Sequence, residues 1–213
     1  MALIISSVTI PAMDIFKKGN FQPLSNEFKQ LGLVALQQLS EFQNKFEIYD
    51  TDTTINSIRD TIISGYLGFD LINTEKHGFD GKRSKTGEFL EVKQCSLSAK
   101  RWGGTWNDTN VEKAKAFSNK KLFTVIAVWK GASDLQFMVF GQNNKLGKYL
   151  LDRIKNRKEG SRSTQNIGID KLIEWGFSII VPPGKDKKNV MDQLCVYNKK
   201  LSKYIDFKNI KPI

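Results

Sequence analysis

The sequence predicts a single α/β domain that begins with an N-terminal helical lobe. A chain of 213 residues is the size of one domain, and its 40% hydrophobic content is ordinary for a globular protein. Apolar residues recur first at helical and later at strand-like spacing. No internal repeat or linker divides the sequence, so we predict one domain over residues 1–213. Its parts are a helical lobe (1–54), a core (55–142) and a basic part that completes the sheet (143–213).

Two helices are predicted in the N-terminal part. Residues 26–46 carry apolar side chains close to helical spacing, and residues 55–71 form a second helix that two glycines weaken. The polar stretch between them, rich in Asp and Thr, predicts a turn. The apolar positions of the first helix are Phe28, Leu31, Leu36, Leu39 and Phe42.

The period of the pattern then changes from helix to strand. Residues 77–82 and 88–96 are predicted to form two antiparallel strands joined by a polar turn at 84–87. Helices and strands alternate from there on, as in α/β proteins. The later elements are, in order, a short helix at 111–118, apolar strands at 122–129 and 135–140, a basic helix at 145–157, a loop at 159–165, a helix capped by Asp170 and ending at Trp175, a strand at 177–181 and a helical tail from Asn189.

Positive charge is concentrated in the later part of the chain. The formal net charge is +11, yet residues 1–80 hold six Lys/Arg and ten Asp/Glu, a net of −4. Residues 81–213 hold 27 basic and 12 acidic residues, a net of +15. Such a field attracts polyanions. It favours nucleic acid over an anionic membrane surface, because the charges do not follow a basic amphipathic helix.

Cysteine usage and hydropathy bear on where the protein acts. The two cysteines, Cys95 and Cys195, do not form any Cys/His spacing typical of zinc sites, which indicates a reducing compartment. No stretch approaches the ~18 apolar residues of a membrane span. The apolar N-terminus lacks the basic residues of a signal peptide. We therefore expect a cytoplasmic protein without membrane association.

Three charged residues of the predicted hairpin form the pattern with the clearest chemical meaning. Residues two apart on a strand share a face, so Glu91 and Lys93 project together, away from their apolar neighbours. If the preceding strand pairs with this one, Asp80 approaches the same point. Two carboxylates suit a hard cation such as Mg²⁺, and the lysine can orient or activate a water. The pattern predicts phosphodiester hydrolysis, with charges facing solvent on an edge hairpin as the alternative.

Asp80, followed after ten residues by Glu91-x-Lys93, resembles the PD-(D/E)xK nuclease superfamily, particularly its type II restriction endonucleases. The likeness covers residues 55–142. It implies a central mixed β-sheet flanked by helices, with Mg²⁺ bound by Asp80, Glu91 and the Val92 carbonyl. Lys93 would be the catalytic base or the group that positions the water. The resemblance also implies a homodimer that cuts both strands of double-stranded DNA at a specific site.

The family motif leaves two positions open in this sequence. Phe79 stands where the family often has proline before the catalytic aspartate. An acidic residue on the preceding helix sometimes joins the family's site. Asp60 is our candidate for that accessory acid, with Asp70 or Glu75 as alternatives, and the sequence does not select among them.

Two polar segments are candidate DNA contacts. The loop at 100–109 mixes basic, glycine and aromatic residues that can contact phosphates or bases, although its tryptophans can equally pack against the hairpin. Residues 153–166 combine cations with amides that can read base edges, or form a solvated basic face. The candidate DNA-binding residues are Lys100, Arg101, Asn107, Arg157, Arg162, Ser163, Gln165 and Asn166.

Two other functions stay open. One is a nucleic-acid-binding protein without catalysis, whose basic C-terminal part carries the function. The other is a structure-specific nuclease, such as a Holliday-junction resolvase or a nickase, on the same core. The single histidine, His77, cannot supply the ligand sets that HNH-type nucleases or zinc deaminases need.

Overall fold

A computed structural model describes residues 21–22, 26–46, 53–72, 79–107, 109–157, 164–206 and 210–213. Its helices are α1 (Asn26–Phe46), α2 (Thr53–Tyr66), α3 (Val111–Ala116), α4 (Asn144–Lys155), α5 (Ile169–Glu174) and α6 (Lys187–Tyr197), followed by a 3-10 helix at Lys199–Lys203. Its strands are β1 (Phe21–Gln22), β2 (Asp70–Ile72), β3 (Gly81–Arg83), β4 (Glu88–Ser96), β5 (Gly103–Trp106), β6 (Leu122–Lys130), β7 (Asp134–Gly141), β8 (Gln165–Gly168), β9 (Ser178–Val181) and β10 (Ile210–Pro212).

The described strands form one large mixed sheet and one small sheet. The large sheet has the order β1-β2-β3-β4-β6-β7-β9-β10. Its β4–β6 and β9–β10 pairs are parallel, and its other neighbours are antiparallel. The small sheet pairs β5 with β8 in antiparallel fashion. The predicted α/β class, with a mixed sheet flanked by helices, is confirmed.

Side chains of the central strands alternate between two apolar layers. On β6, Val125 and Ala127 join a cluster with residues of α1 and α2, whereas Ile126 and Val128 join a cluster with residues of α3 to α6. This alternation follows from the period of two along a strand, and it buries both faces of the sheet. Leu36 of α1 lies in the first cluster, so the N-terminal helix packs on the same core as the strands.

The β3–β4 hairpin has the predicted turn and second strand, but of the first strand predicted at 77–82 only Gly81 and Lys82 lie in β3, and Phe79 and Asp80 precede it. Gly81 pairs with Leu90 and Arg83 with Glu88, so the tight turn covers residues 84–87. Gly87 has a φ of +66°, a conformation that glycine adopts without strain and that closes this turn. Beyond Gly81 the chain leaves the ladder, although the Asp80 backbone N–H still donates to the Leu90 carbonyl at 2.9 Å.

Several predicted elements differ from those in the structure. The second helix ends at Tyr66, and residues 70–71, predicted as its end, belong to strand β2 (Asp70–Ile72). Residues 165–168 form strand β8 although Gln165 was predicted to end a loop. Asp170 does not cap α5, because Gly168 is the N-cap residue and makes no side-chain cap bond. Leu31, predicted on the apolar face of α1, is 46% exposed. Among the described helices, none is long and apolar enough to cross a membrane.

Candidate active site

Asp80 lies at the open end of the β3–β4 hairpin. Its Oδ2 accepts a hydrogen bond from the Val92 backbone N–H at 2.6 Å. In a strand, the N–H and C=O of one residue point to the same side, so the Val92 carbonyl is directed to the same edge of β4. Because β3 begins at Gly81, opposite Leu90, the described residues place no paired strand along this edge beyond Leu90. The aspartate therefore occupies an open edge of the sheet.

Glu91 and Lys93 project from the same face of β4, opposite to the face that carries Leu90 and Val92, as the strand alternation predicts. The Lys93 ammonium donates to Glu91 Oε1 at 2.7 Å. The glutamate side chain is only 8% exposed and the lysine side chain 23% exposed. The pair is held at a depth where water screens charges weakly, so the ions of this site act on one another strongly.

Strand β5 covers the Lys93 side chain. A Cβ atom added to Gly104 would lie 2.8 Å from both Cβ and Cγ of Lys93, and 3.1 Å from the Trp106 ring. Real Cβ atoms do not approach other atoms so closely, so this contact requires glycine at position 104. The close packing fixes the stem of the lysine and directs its ammonium group toward Glu91.

Helix α2 brings Asp60 to the site through Gln94. The Gln94 side chain donates from Nε2 to Asp60 Oδ1 at 2.5 Å and to the Asn56 carbonyl at 3.2 Å. Sequence reasoning missed Gln94. Its signal was present, since this polar residue continues the apolar face that Leu90 and Val92 start on β4.

Of the three candidates for the accessory acid, the structure brings Asp60 to the site. Asp70 lies opposite Lys82 in the β2–β3 pair, and its Oδ2 accepts from the Ser84 hydroxyl at 3.2 Å, near the turn end of the hairpin. Glu75 lies outside the described residues.

The acids of the site perturb one another. Burial, and then the negative charge of Asp80, raise the pKa of Asp60 from 3.8 to about 7, against the hydrogen bond from Gln94. Burial and the charge of Glu91 also raise the pKa of Asp80, although the Val92 N–H opposes this shift. Burial lowers the pKa of Lys93, but the carboxylates outweigh it and the net shift is upward. Negative charge is thus in excess at this point.

A second lysine, Lys113 of α3, stands near the site and was not singled out from the sequence. Its ammonium donates to the Asn107 carbonyl at 3.0 Å, and its positive charge lowers the pKa of Asp80. No sequence signal marks it, because its approach to Asp80 depends on the packing of α3 against strands far from it in the chain.

The donor set at the open end suits a hard divalent cation. Within the described part of the chain, no three His, Cys, Asp or Glu side chains are arranged to hold a metal by themselves. Mg²⁺ does not require that, because it is commonly bound by one or two carboxylates and retains several waters. Asp80 and Glu91, with the Val92 carbonyl, supply such a set, and a cation would relieve the excess negative charge.

The predicted DNA-binding residues fall into three groups. Lys100, Arg101, Asn107, Arg157 and Asn166 are exposed. Gln165 is 9% exposed, and its Oε1 accepts from Arg153 Nε at 3.3 Å, so its amide points into the protein. Arg162 and Ser163 lie outside the described residues. For the tryptophans of the 100–109 loop, the alternatives were contact with DNA and packing in the protein. The structure shows them packed: Trp102 is 6% and Trp106 0% exposed.

No known protein-family model matches the chain, and no curated protein matches it either. Function therefore has to follow from the chemistry of the site.

Proposed function

We propose that this protein is a Mg²⁺-dependent DNA endonuclease that hydrolyses phosphodiester bonds. More narrowly, we propose that it is a type II restriction enzyme that acts in the cytoplasm as a homodimer on double-stranded DNA. The observation that carries the proposal is the meeting of Asp80, Glu91 and Lys93 at the open end of the β3–β4 hairpin, with Asp60 beside them. Buried acids with raised pKa values, next to a lysine, are typical of catalytic sites.

Asp80, Glu91 and the Val92 carbonyl would hold the divalent cation, and Asp60 would add negative charge from the α2 side. The cation would supply positive charge to the reacting phosphate. Asp80 is already oriented by the Val92 N–H at 2.6 Å, and Glu91 by the Lys93 ammonium at 2.7 Å. These bonds keep both carboxylates in place before substrate arrives, which lowers the reorganisation needed for reaction.

The raised pKa of Lys93 favours one of its two expected roles. An amine whose pKa lies above its ordinary value of 10.5 is protonated at neutral pH. In that form it cannot accept a proton, but it can donate hydrogen bonds to an attacking water and to the developing charge on phosphate. We therefore assign Lys93 to orienting the water and stabilising negative charge in the resting protein, in place of a general base.

The basic later part of the chain supports DNA as the substrate. Lysine and arginine release condensed counterions when they bind phosphates, and this release drives association. Helix α4 supplies such a surface, because its cations are exposed and few acids lie among them. The exposed basic residues on or just after α4 are Lys145, Lys148, Arg153, Lys155 and Arg157.

The test is cleavage of supercoiled and linear phage DNA by the purified chain, with Mg²⁺ or with EDTA. The wild type should give discrete bands in Mg²⁺ and none in EDTA. Lys93→Ala should lose cleavage and keep DNA binding, whereas the matched variant Lys121→Ala, at an exposed lysine outside the site, should cleave like the wild type.

Other outcomes assign the chain differently. Nicked or smeared products that depend on Mg²⁺ and on Lys93 would keep the chemistry and contradict the restriction subclass, which favours a nickase or a resolvase. Salt-sensitive binding without cleavage of duplex, single-stranded or branched DNA in Mg²⁺ or Mn²⁺ would contradict the nuclease and favour the binding protein.

A further inference from the structure

Strands β5 and β8 form a two-stranded ribbon beside the candidate active site. Thr105 pairs with Asn166 and Trp106 with Gln165, although about sixty residues separate the partners in sequence. Close contact between the backbones holds the base of the ribbon, because a Cβ atom on Gly103 would run into the backbone of Ile167. The ribbon is thus an ordered part of the fold, and its exposed face has a fixed position relative to β4.

The two faces of the ribbon differ in chemistry. The inner face carries Trp106 and Ile167, which are 0% and 1% exposed. The outer face carries exposed, uncharged polar side chains joined in two cross-strand pairs. Thr105 Oγ1 hydrogen-bonds to Asn166 Oδ1 at 2.7 Å, and Thr164 Oγ1 lies 3.5 Å from Asn107 Oδ1. The outer face is therefore a small, ordered set of donors, acceptors and methyl groups.

The ribbon lies next to the reacting groups. Its inner face covers Lys93, because Gly104 lies opposite Ile167 and packs on the stem of the lysine. The outer face extends to Asn107, whose carbonyl accepts from Lys113 at 3.0 Å, and the positive charge of Lys113 lowers the pKa of Asp80. Neighbouring residues of a strand are about 3.3 Å apart, close to the spacing of about 3.4 Å between successive nucleotides of one DNA strand.

We propose that the outer face of the β5–β8 ribbon reads the base sequence of duplex DNA in the major groove, next to the cleaved bond. The proposal rests on the proposed function and names the element that selects its substrate. The major groove admits a two-stranded ribbon. Asparagine can bind both hydrogen-bonding atoms of an adenine edge, and the threonine methyl can contact a thymine methyl.

The composition of the outer face favours base reading over phosphate binding. The four side chains of its two cross-strand pairs carry no charge. Charged side chains lie at its borders: Lys113 at Asn107, Arg153 at Gln165, and Arg101 and Asp170 at Gly168. Phosphate contacts position a protein on DNA, whereas uncharged groups that match base edges distinguish sequences. The burial of Trp102 and Trp106 also argues against a single-strand surface, which would need exposed aromatic rings for stacking.

The test is an affinity selection, in which the full chain binds duplexes from a random double-stranded library. Ca²⁺ replaces Mg²⁺ so that the bound DNA is not cleaved. The variant is Asn107→Ala combined with Asn166→Ala, and the matched control is Asn189→Ala, an exposed asparagine on α6. Both asparagines of the variant are exposed, so the fold should persist, and the melting temperature checks this.

The wild type and the control should enrich one short sequence, and the double variant should lose that enrichment. Affinity of the double variant for the enriched duplex should fall about 10- to 100-fold, while its binding to unrelated duplex at low salt stays unchanged. A double variant that enriches the same sequence as the wild type would overturn the proposal. So would a wild type that binds duplex without enrichment, or one that prefers single strands or RNA.

A parallel cleavage assay separates this proposal from the proposed function. If the wild type cleaves DNA in Mg²⁺ and the double variant still selects the wild-type sequence, the ribbon proposal fails and the nuclease stands. If the wild type does not cleave DNA in Mg²⁺ but enriches a sequence that the double variant no longer selects, the nuclease assignment fails and base reading by the ribbon stands.

Discussion

The two ends of the β3–β4 hairpin carry the same kinds of charged residue in opposite arrangements. At the turn end, the Arg83 guanidinium forms an ion pair with Glu88, and its Nη2 also donates to the Leu67 carbonyl at 2.8 Å. The guanidinium lies 4.2 Å from the centre of the Phe69 ring. The Arg83 and Glu88 side chains are 33% and 22% exposed. One positive charge thus balances one negative charge near the surface.

At the open end, three carboxyl groups surround the Lys93 ammonium. Glu91 is paired with it, whereas the carboxyl groups of Asp60 and Asp80 accept hydrogen bonds from uncharged donors. Buried charge that is not balanced opposes folding. The turn end shows that this hairpin can balance its charges. The unbalanced charge of the open end supports the proposed cation site, and each prediction below alters one end and leaves the other intact.

Replacing one acid of the open end should remove activity. Asp80→Asn keeps the size of the side chain and an acceptor for the Val92 N–H, yet it removes a negative charge from the cation site. We expect DNA cleavage in Mg²⁺ to fall about 10³-fold, with DNA binding retained. The matched control, Asp134→Asn, removes the carboxylate that pairs with Lys185 and should cleave normally. Equal rates for the two variants would contradict this.

Displacing Lys93 should have a smaller effect. Gly104→Ala forces a Cβ against the lysine stem, at 2.8 Å in the undisturbed structure, so the ammonium should move away from Glu91. We expect single-turnover cleavage to fall about 10- to 100-fold. Gly184→Ala is the control for lost stability, because its φ of +79° is strained for alanine while nothing lies within 4 Å of the new methyl. A similar loss of cleavage in both variants would show that Lys93 is not specifically displaced.

The stability of the metal-free protein should depend on pH because of the open end. Asp60, with a pKa of about 7 against an ordinary 3.8, keeps a proton in the folded state that the unfolded chain releases. The free energy of unfolding should therefore fall as pH rises from about 4 to 7. Asp60→Asn should remove much of this fall and stabilise the protein by on the order of 2 kcal/mol at pH 7.

Urea unfolding in EDTA across that pH range measures the effect. Asp192→Asn, at an exposed position on α6, is the matched control and should follow the wild-type profile. A wild-type stability that rises from pH 4 to 7 would count against the described electrostatics.

The turn end should tolerate change. Glu88→Gln removes the charge that pairs with Arg83 and keeps an acceptor for the Thr86 hydroxyl, which donates to Glu88 Oε2 at 2.8 Å. Because exposed ion pairs contribute little, we expect a loss of about 0.5 kcal/mol in the free energy of unfolding and unchanged cleavage. A loss of cleavage similar to that of Asp80→Asn would erase the distinction between the two ends.

The elements that the sequence predicts well are those whose apolar pattern is local. Strands β6 and β7 are strongly apolar runs, and the β3–β4 hairpin has a polar turn between alternating strands. The meeting of Asp80 with Glu91 and Lys93 follows from that hairpin alone. The proximity of these three residues could therefore be predicted from the sequence, without the packing of the other elements around them.

The parts that could not be predicted depend on contacts between distant segments. Gly103 and Gly104 have low strand propensity, and β5 forms because β8 pairs with it. Gln165, predicted to contact DNA, faces inward because that pairing puts it on the same face as Trp106. Lys113 reaches the site only through the position of α3. In each case, tertiary packing decides which way the side chain points.

The excess negative charge at the open end is tested most directly by titrating the metal-free protein with Mn²⁺. Bound ion can be followed by electron paramagnetic resonance at pH 7, in wild type and in Asp80→Asn, with added Mg²⁺ as competitor. We predict that the wild type binds Mn²⁺ and loses it to Mg²⁺, and that Asp80→Asn binds it at least about 10-fold more weakly. Equal binding by the two proteins, or no binding by the wild type with or without duplex DNA, would contradict a cation site at this end of the hairpin.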